Sequence, residues 1–157
     1  MAMKWKIRRE IYWTKEFDSS HFLELSYESK CKRLHGHTYR VEVWIEGEPN
    51  EHGMIFDFNH LSNLIRLLDH KVIVSERWIK EEGEYIRVER NRKTLIIPRD
   101  EVVVIPKPNV TAEYLAEWFG EKVIENAGPN VRKVKVRIWE DPRSYAEVTF
   151  TLEPQGS

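Results

Sequence analysis

Between residues 37 and 46, Tyr39, Val41, Val43 and Ile45 alternate without a break with Thr38, Arg40, Glu42, Trp44 and Glu46. A period of two demands a strand with one face against a core, because successive side chains of an extended chain point to opposite sides. Gly47-Glu48-Pro49-Asn50 ends the strand. Followed backward, the buried row takes in His37 and His35, with Gly36 on the other face. Two imidazoles at one end of one strand face can reach a common ion. A third, His21 in Phe17-Asp18-Ser19-Ser20-His21, lies upstream, and segment 22–34 is long enough to fold back and bring it alongside. Three neutral imidazoles with an open position make the ligand set of a catalytic zinc, whereas structural zinc is usually closed by four ligands that include thiolates. Cys31, four residues before His35, is the only cysteine, so an internal disulfide is excluded and attention turns to its thiol.

The same alternation assigns a strand to residues 4–17, through Trp5, Ile7, Ile11 and Trp13. Val134, Val136 and Ile138 mark another, Asp141-Pro142-Arg143 turns the chain, and Ala146, Val148, Phe150 and Leu152 form the last. Two stretches have the helical period instead: 58–68 after a capping Asp57, and Thr111 to Asn126, stopped by Gly128-Pro129. Between them, Tyr85 to Val88, Thr94 to Ile97 and Val102 to Ile105 are short β-like runs, and Asn91-Arg92-Lys93 is a turn candidate. They predict a hairpin inserted around 75–106. The order predicts the α+β class: a four-stranded antiparallel sheet with two helices on one face, in a single domain over 1–157 with a frayed tail from Glu153 to Ser157. Cupin-type metal proteins also use His-x-His, but two long amphipathic helices between strand pairs argue against their β-sandwich.

Lys and Arg number 25 against 26 Asp and Glu, a net charge of −1, so no global field favours nucleic acid or an anionic membrane. Any anionic ligand must be met locally. Lys30, Lys32 and Arg33 beside the thiol either receive a phosphate or solvate a loop. No stretch approaches the roughly 18 apolar residues of a spanning helix, and a cytoplasmic protein is expected. Asp69-His70 follows the first helix, where a carboxylate beside an imidazole serves acid/base chemistry or simply ends a helix in polar residues. Glu140 shares the phase of Val134, Val136 and Ile138; a carboxylate there needs a partner, such as the planar N–H/NH₂ edge of a pterin or guanine-like ring, unless it tilts into water. Thr111-Ala112-Glu113 opens a helix whose free N–H groups could hold a ligand oxygen, although capping by Thr111 explains it equally.

Phe17-Asp18-Ser19-Ser20-His21, Cys31-Lys32-Arg33-Leu34-His35-Gly36-His37-Thr38-Tyr39, Gly53 to Phe58, Leu68-Asp69-His70-Lys71, Thr111-Ala112-Glu113 and Glu140 stand in the order found in the 6-pyruvoyltetrahydropterin synthase family, which the sequence resembles over nearly its whole length. The resemblance implies the tunnelling fold, in which sheets of several subunits close into a barrel, usually a hexamer of two stacked trimers with pterin sites between subunits. It also implies Zn²⁺ on His21, His35 and His37, Cys31 as proton acceptor, Asp69 and His70 as a proton relay, and Glu140 on the pterin edge, with Thr111 and Glu113 as further substrate contacts. The short Cys31-to-His35 gap looks like the 6-carboxytetrahydropterin synthase group. These enzymes convert 7,8-dihydroneopterin triphosphate to 6-carboxy-5,6,7,8-tetrahydropterin, with loss of triphosphate and acetaldehyde, for 7-deazaguanine (queuosine and archaeosine precursor) synthesis. Animal-type 6-pyruvoyl enzymes have a longer gap, and a third group carries Glu where this chain has Lys32. Two departures stand out: a long His70-to-Thr111 segment, and Glu140-Asp141 in place of the usual Glu-Thr. The competing readings are 6-pyruvoyl or related side-chain-cleaving chemistry and a noncatalytic metal-bound oligomer, which would need neither Cys31 nor His70.

Overall fold

A computed structural model describes residues 2–153; residues 154–157 of the expected frayed tail lie outside the described residues. Strand β1 (Arg9–His21) pairs antiparallel with β2 (His35–Gly47) in a register that sets His21 opposite His35 and Ser19 opposite His37. The 22–34 segment therefore folds back as its length allows. The odd row of β2, from Tyr39 to Ile45, is buried. Against that face pack α1 (Asn59–Leu68), through Leu61, Leu64, Ile65 and Leu68, and α2 (Ala112–Glu125), through Leu115, Ala116, Trp118, Phe119 and Val123. The first helix starts at Asn59 with Phe58 as its N-cap, so Asp57 is not the cap itself but sits just before it and accepts the Asn59 N–H at 2.9 Å; the Thr111 hydroxyl does cap the second, accepting the Tyr114 N–H at 3.3 Å.

The sheet departs from the expected four antiparallel strands. It has six, adding β3 (Lys71–Ser75), β7 (Val102–Ile105), β8 (Val131–Asp141) and β9 (Ser144–Thr151) in the order β7-β3-β1-β2-β8-β9. The β1–β3 and β3–β7 pairs are parallel. The physical reason is visible in the residues: Val72-Ile73-Val74 and Val102-Val103-Val104-Ile105 are unbroken apolar runs, the composition usual in parallel strands, and they offer no alternation to detect. The expected runs at 85–88 and 94–97 pair as an antiparallel hairpin of β5 (Tyr85–Arg90) and β6 (Lys93–Pro98), to which β4 (Ile79–Glu82) adds a third strand in a separate sheet, while 102–105 joins the main sheet as β7. Asn91 and Arg92 make its two-residue turn with φ of 48° and 61°.

The first strand also begins later than residue 4. Arg9 pairs with Gly47, the last residue of β2, so nothing is left for Trp5 and Ile7 to pair with, and they are 88% and 64% exposed. Gly47 cannot carry a side chain, since a Cβ there would stand 2.3 Å from the Asn130 carbonyl oxygen. No helix among the described residues is long and apolar enough to cross a membrane.

Candidate metal centre

The β1–β2 register brings His21, His35 and His37 together, their nearest ring nitrogens all within 4.8 Å of one another. His21 is fully buried. Its Nδ1 lies 2.9 Å from the Val110 carbonyl oxygen, at the entry to α2, and 3.2 Å from the Tyr39 hydroxyl. A carbonyl only accepts, so Nδ1 carries the proton and Nε2 keeps a free lone pair. His35 is held likewise, with Nδ1 donating to the Arg33 carbonyl at 2.6 Å. The Nε2 atoms of His21 and His37 are buried without a hydrogen-bond partner. Burial holds His37 below the ordinary imidazole range, outweighing the opposing field of Glu140, so it is neutral at physiological pH.

Glu140 completes the cluster. The pairing register slips between Trp139 and Asp141, and this bulge aims the carboxylate so that Oε1 lies 3.3 Å from His21 Nε2 and 3.4 Å from His37 Nε2. With its proton on Nδ1, His21 has none on Nε2 to donate, so lone pairs and a carboxylate converge with no hydrogen between them. A cation satisfies such a set, and imidazole Nδ1–H groups anchored on backbone carbonyls are the usual outer support of metal-bound histidine. The residues present therefore fit a zinc ion. His37 and Glu140 also line a cleft of about 470 Å³ with Arg40, Trp139 and Pro142.

Asp69 and His70 stand at a second cluster. His70 follows the C-cap of α1 with φ of 60°, a left-handed position that glycine fills at least cost. Its N–H donates to the Asp18 carbonyl at 2.6 Å, its Nδ1 is 3.0 Å from Asp69 Oδ2, and the Asp18 N–H donates to Asp69 Oδ1 at 3.0 Å. The Asp18 amide is the chief cause that keeps the Asp69 carboxyl below its usual range. The ring of His70 is 77% exposed and opens on a cleft of about 610 Å³ shared with His37 and Gly36.

Cys31 joins neither cluster. It lies half-buried in a short 3₁₀ turn (Lys30–Lys32), where its N–H donates to Ser29 Oγ at 3.1 Å and its carbonyl accepts from Leu23 at 2.8 Å. Thr111 spends its hydroxyl on the helix cap, and Glu113 is exposed in the first turn of α2. The sequence reading missed Tyr39, Val110 and Asp18. Tyr39 was legible, being the next residue in the phase of His35 and His37. Asp18 accepts the Thr38 hydroxyl at 2.6 Å across the β1–β2 pair. Val110 acts through its backbone, which no side-chain pattern records.

Comparison with known proteins gives the chain its relatives. The family model described as 6-pyruvoyl tetrahydropterin synthase matches residues 10–150. A Pyrococcus horikoshii protein, provisionally named a 6-carboxy-5,6,7,8-tetrahydropterin synthase, is 73% identical over 157 residues, the whole of both chains. An Aquifex aeolicus protein named 6-carboxy-5,6,7,8-tetrahydropterin synthase is 35% identical over 131 residues, 76% of this chain and 75% of its own. The crystal structure of 6-pyruvoyl tetrahydropterin synthase from Plasmodium vivax superposes with a TM-score of 0.78 over 94% of this chain and 100% of its own; at 20% identity that likeness concerns the fold. With its match running from the first strand to the last, the chain belongs to the 6-pyruvoyl tetrahydropterin synthase family.

Proposed function

We propose that the protein is a zinc-dependent lyase that converts 7,8-dihydroneopterin triphosphate and water to 6-carboxy-5,6,7,8-tetrahydropterin, acetaldehyde and triphosphate, a step toward 7-deazaguanine compounds. The observation that carries the reading is the convergence of imidazole nitrogens from His21, His35 and His37, those of His21 and His37 buried and unpaired, in a chain whose relatives bear the 6-carboxy name. Zinc would be held by His21, His35 and His37 and would supply Lewis acidity toward a side-chain oxygen of the substrate, making the adjacent carbon-bound proton more acidic.

The remaining work belongs to side chains. Cys31 as thiolate takes the acidified proton, and Asp69-His70 moves protons on the other side of the substrate, with Asp69 orienting the ring. Glu140 receives the N–H/NH₂ edge of the pterin. That edge lies across the ring from the reacting side chain, so Glu140 turns its carboxylate away from the histidines on binding. Thr111 and Glu113 are proposed at the substrate rim. Cys31 and Asp69-His70 lie in separate parts of this chain, which supports a homo-hexamer, two trimers closing the sheets into a barrel, with each site shared between subunits. Sheet β4–β6 is read as an insertion in a single pterin-synthase-like domain. A base that must stay a free thiol suits the reducing cytoplasm.

The test is product analysis by mass spectrometry after incubating zinc-loaded protein with 7,8-dihydroneopterin triphosphate. Formation of 6-carboxy-5,6,7,8-tetrahydropterin with acetaldehyde is expected. Accumulation of 6-pyruvoyltetrahydropterin would instead establish the sister activity.

A further inference from the structure

Arg90 occupies the inward phase of β5 after Ile86 and Val88, where a third apolar residue belongs. It is 8% exposed, its guanidinium lies 3.7 Å over the Phe22 ring, and its Nε has no hydrogen-bond partner. Neighbouring Glu89 is held by Arg87 at 3.0 Å, and among the described residues no carboxylate pairs with Arg90. A buried cation normally has an anion. Around it the charge is lopsided in a chain whose total is −1. Arg90 lines one hollow with Glu89, Arg92 and Lys93, and Lys93 reaches into an adjoining cleft of about 450 Å³ whose other wall is Lys30, Lys32 and Arg33. Within this lining, Glu28 neutralises Lys32 alone, at 3.2 Å. Arg92 holds φ of 61° in a turn that glycine would make more cheaply, so a cation is kept there at some cost.

The cluster is fastened to the metal centre. Phe22, beneath Arg90, directly follows the ligand His21. Arg33 holds His35 through its carbonyl while its side chain lines the cleft. The Asn91 side chain donates to the Leu23 carbonyl at 2.9 Å, fixing the β5–β6 turn against the loop that carries Cys31. A ligand with its reacting carbons at the histidines and a polyanionic tail attached would lay that tail here.

We propose that the cleft between the Lys30–Arg33 turn and the β5–β6 turn, joined through Lys93 to the hollow that Arg90 lines, binds the oligophosphate chain of the substrate; the assignment rests on the pterin triphosphate reading above. Arginine forks and lysine ammonium groups are the side chains suited to this anion.

The experiment measures inorganic triphosphate binding to the zinc-loaded protein by calorimetry, for the native chain, the Lys32→Ala/Lys93→Ala double variant and Arg90→Lys. Arg90→Lys keeps the charge and most of the packing over Phe22 while removing the planar fork, so it answers where truncation would disturb folding. The double variant should bind inorganic triphosphate at least about tenfold more weakly, as losing charge-assisted contacts implies. Its KM for 7,8-dihydroneopterin triphosphate should rise comparably, and its affinity for 7,8-dihydroneopterin, which lacks the phosphates, should stay unchanged. Inorganic triphosphate should also inhibit competitively. Equal binding by the native chain and both variants, or noncompetitive inhibition, would overturn the proposal. A native chain that binds inorganic triphosphate through these residues but does not turn over the pterin would uphold the cleft and overturn only the substrate assignment.

Discussion

The unpaired nitrogens of the histidine cluster make zinc a stabilising ligand whose effect can be sized. Two buried Nε2 atoms lack partners in the metal-free fold, and each such group costs about 1–3 kcal/mol. A metal that binds only the folded chain recovers that cost as part of its binding free energy, and stabilises the fold by about 2.7 kcal/mol when free zinc stands at 100 times its dissociation constant. With a guanidinium slope of roughly 4 kcal/mol per M for a chain of this size, the unfolding midpoint should rise by about 0.7 M. His35→Ala is the informative variant. His21 is fully buried, so its truncation would mix lost packing with lost ligation, whereas His35 is only half-buried and its Nδ1 bond reaches no farther than Arg33. Unfolding followed by tryptophan fluorescence, with zinc and with a chelator, should give two separated curves for the native chain and superposed curves for His35→Ala, which should also lose its metal on dialysis. Superposed curves for the native chain, or an undiminished zinc shift in His35→Ala, would refute the ligand assignment.

Replacing Cys31 by Ala should leave zinc content intact while turnover falls by at least about 10²-fold, the low end for a positioned acid/base group; near-native turnover would remove Cys31 from the mechanism. Because Cys31 and His70 occupy separate parts of the chain, refolding a mixture of Cys31→Ala and His70→Ala chains should restore activity that neither has alone, and light scattering should report a hexamer. A monomer at micromolar concentration would defeat both expectations. On the sheet face away from the helices, Glu42 accepts hydrogen bonds from Tyr12 at 2.6 Å and Trp139 at 2.5 Å. Burial pushes its carboxyl up, but these bonds and the charges of Arg40 and Arg137 outweigh it and hold it below the usual range. A lowered folded value means stability that is present above the unfolded pKa of about 4.3 and is lost as pH falls through the folded value. Urea titrations from pH 6 to 3 should therefore show a shallower loss in Glu42→Gln, which should also cost about 1–3 kcal/mol at neutral pH; identical slopes would show that the carboxylate is not the stabilising group.

The division between what the residues announce and what only the fold reveals follows from which face of a strand meets water. β2 separates a buried row from a wetter one, so its phase carries Tyr39 to Ile45 inward and His35 and His37 with them; the site could be placed before the fold was known. β3 and β7 carry unbroken apolar runs that alternate nowhere, so the sequence offered no phase to read. That omission had a functional cost, because the parallel pairing of Ser19 with Lys71 is what carries Asp69 and His70 against Asp18 and into a cleft with His37. In the chain the Asp-His pair is a polar helix end; in the sheet it is a neighbour of His37 in the candidate metal centre. Trp5 and Ile7 show the converse, a convincing alternation with no strand left to receive it. Arg90 combines the two cases. Its phase on β5 is inward and its chemistry is not, a conflict between pattern and residue type that marks a place where packing yields to binding.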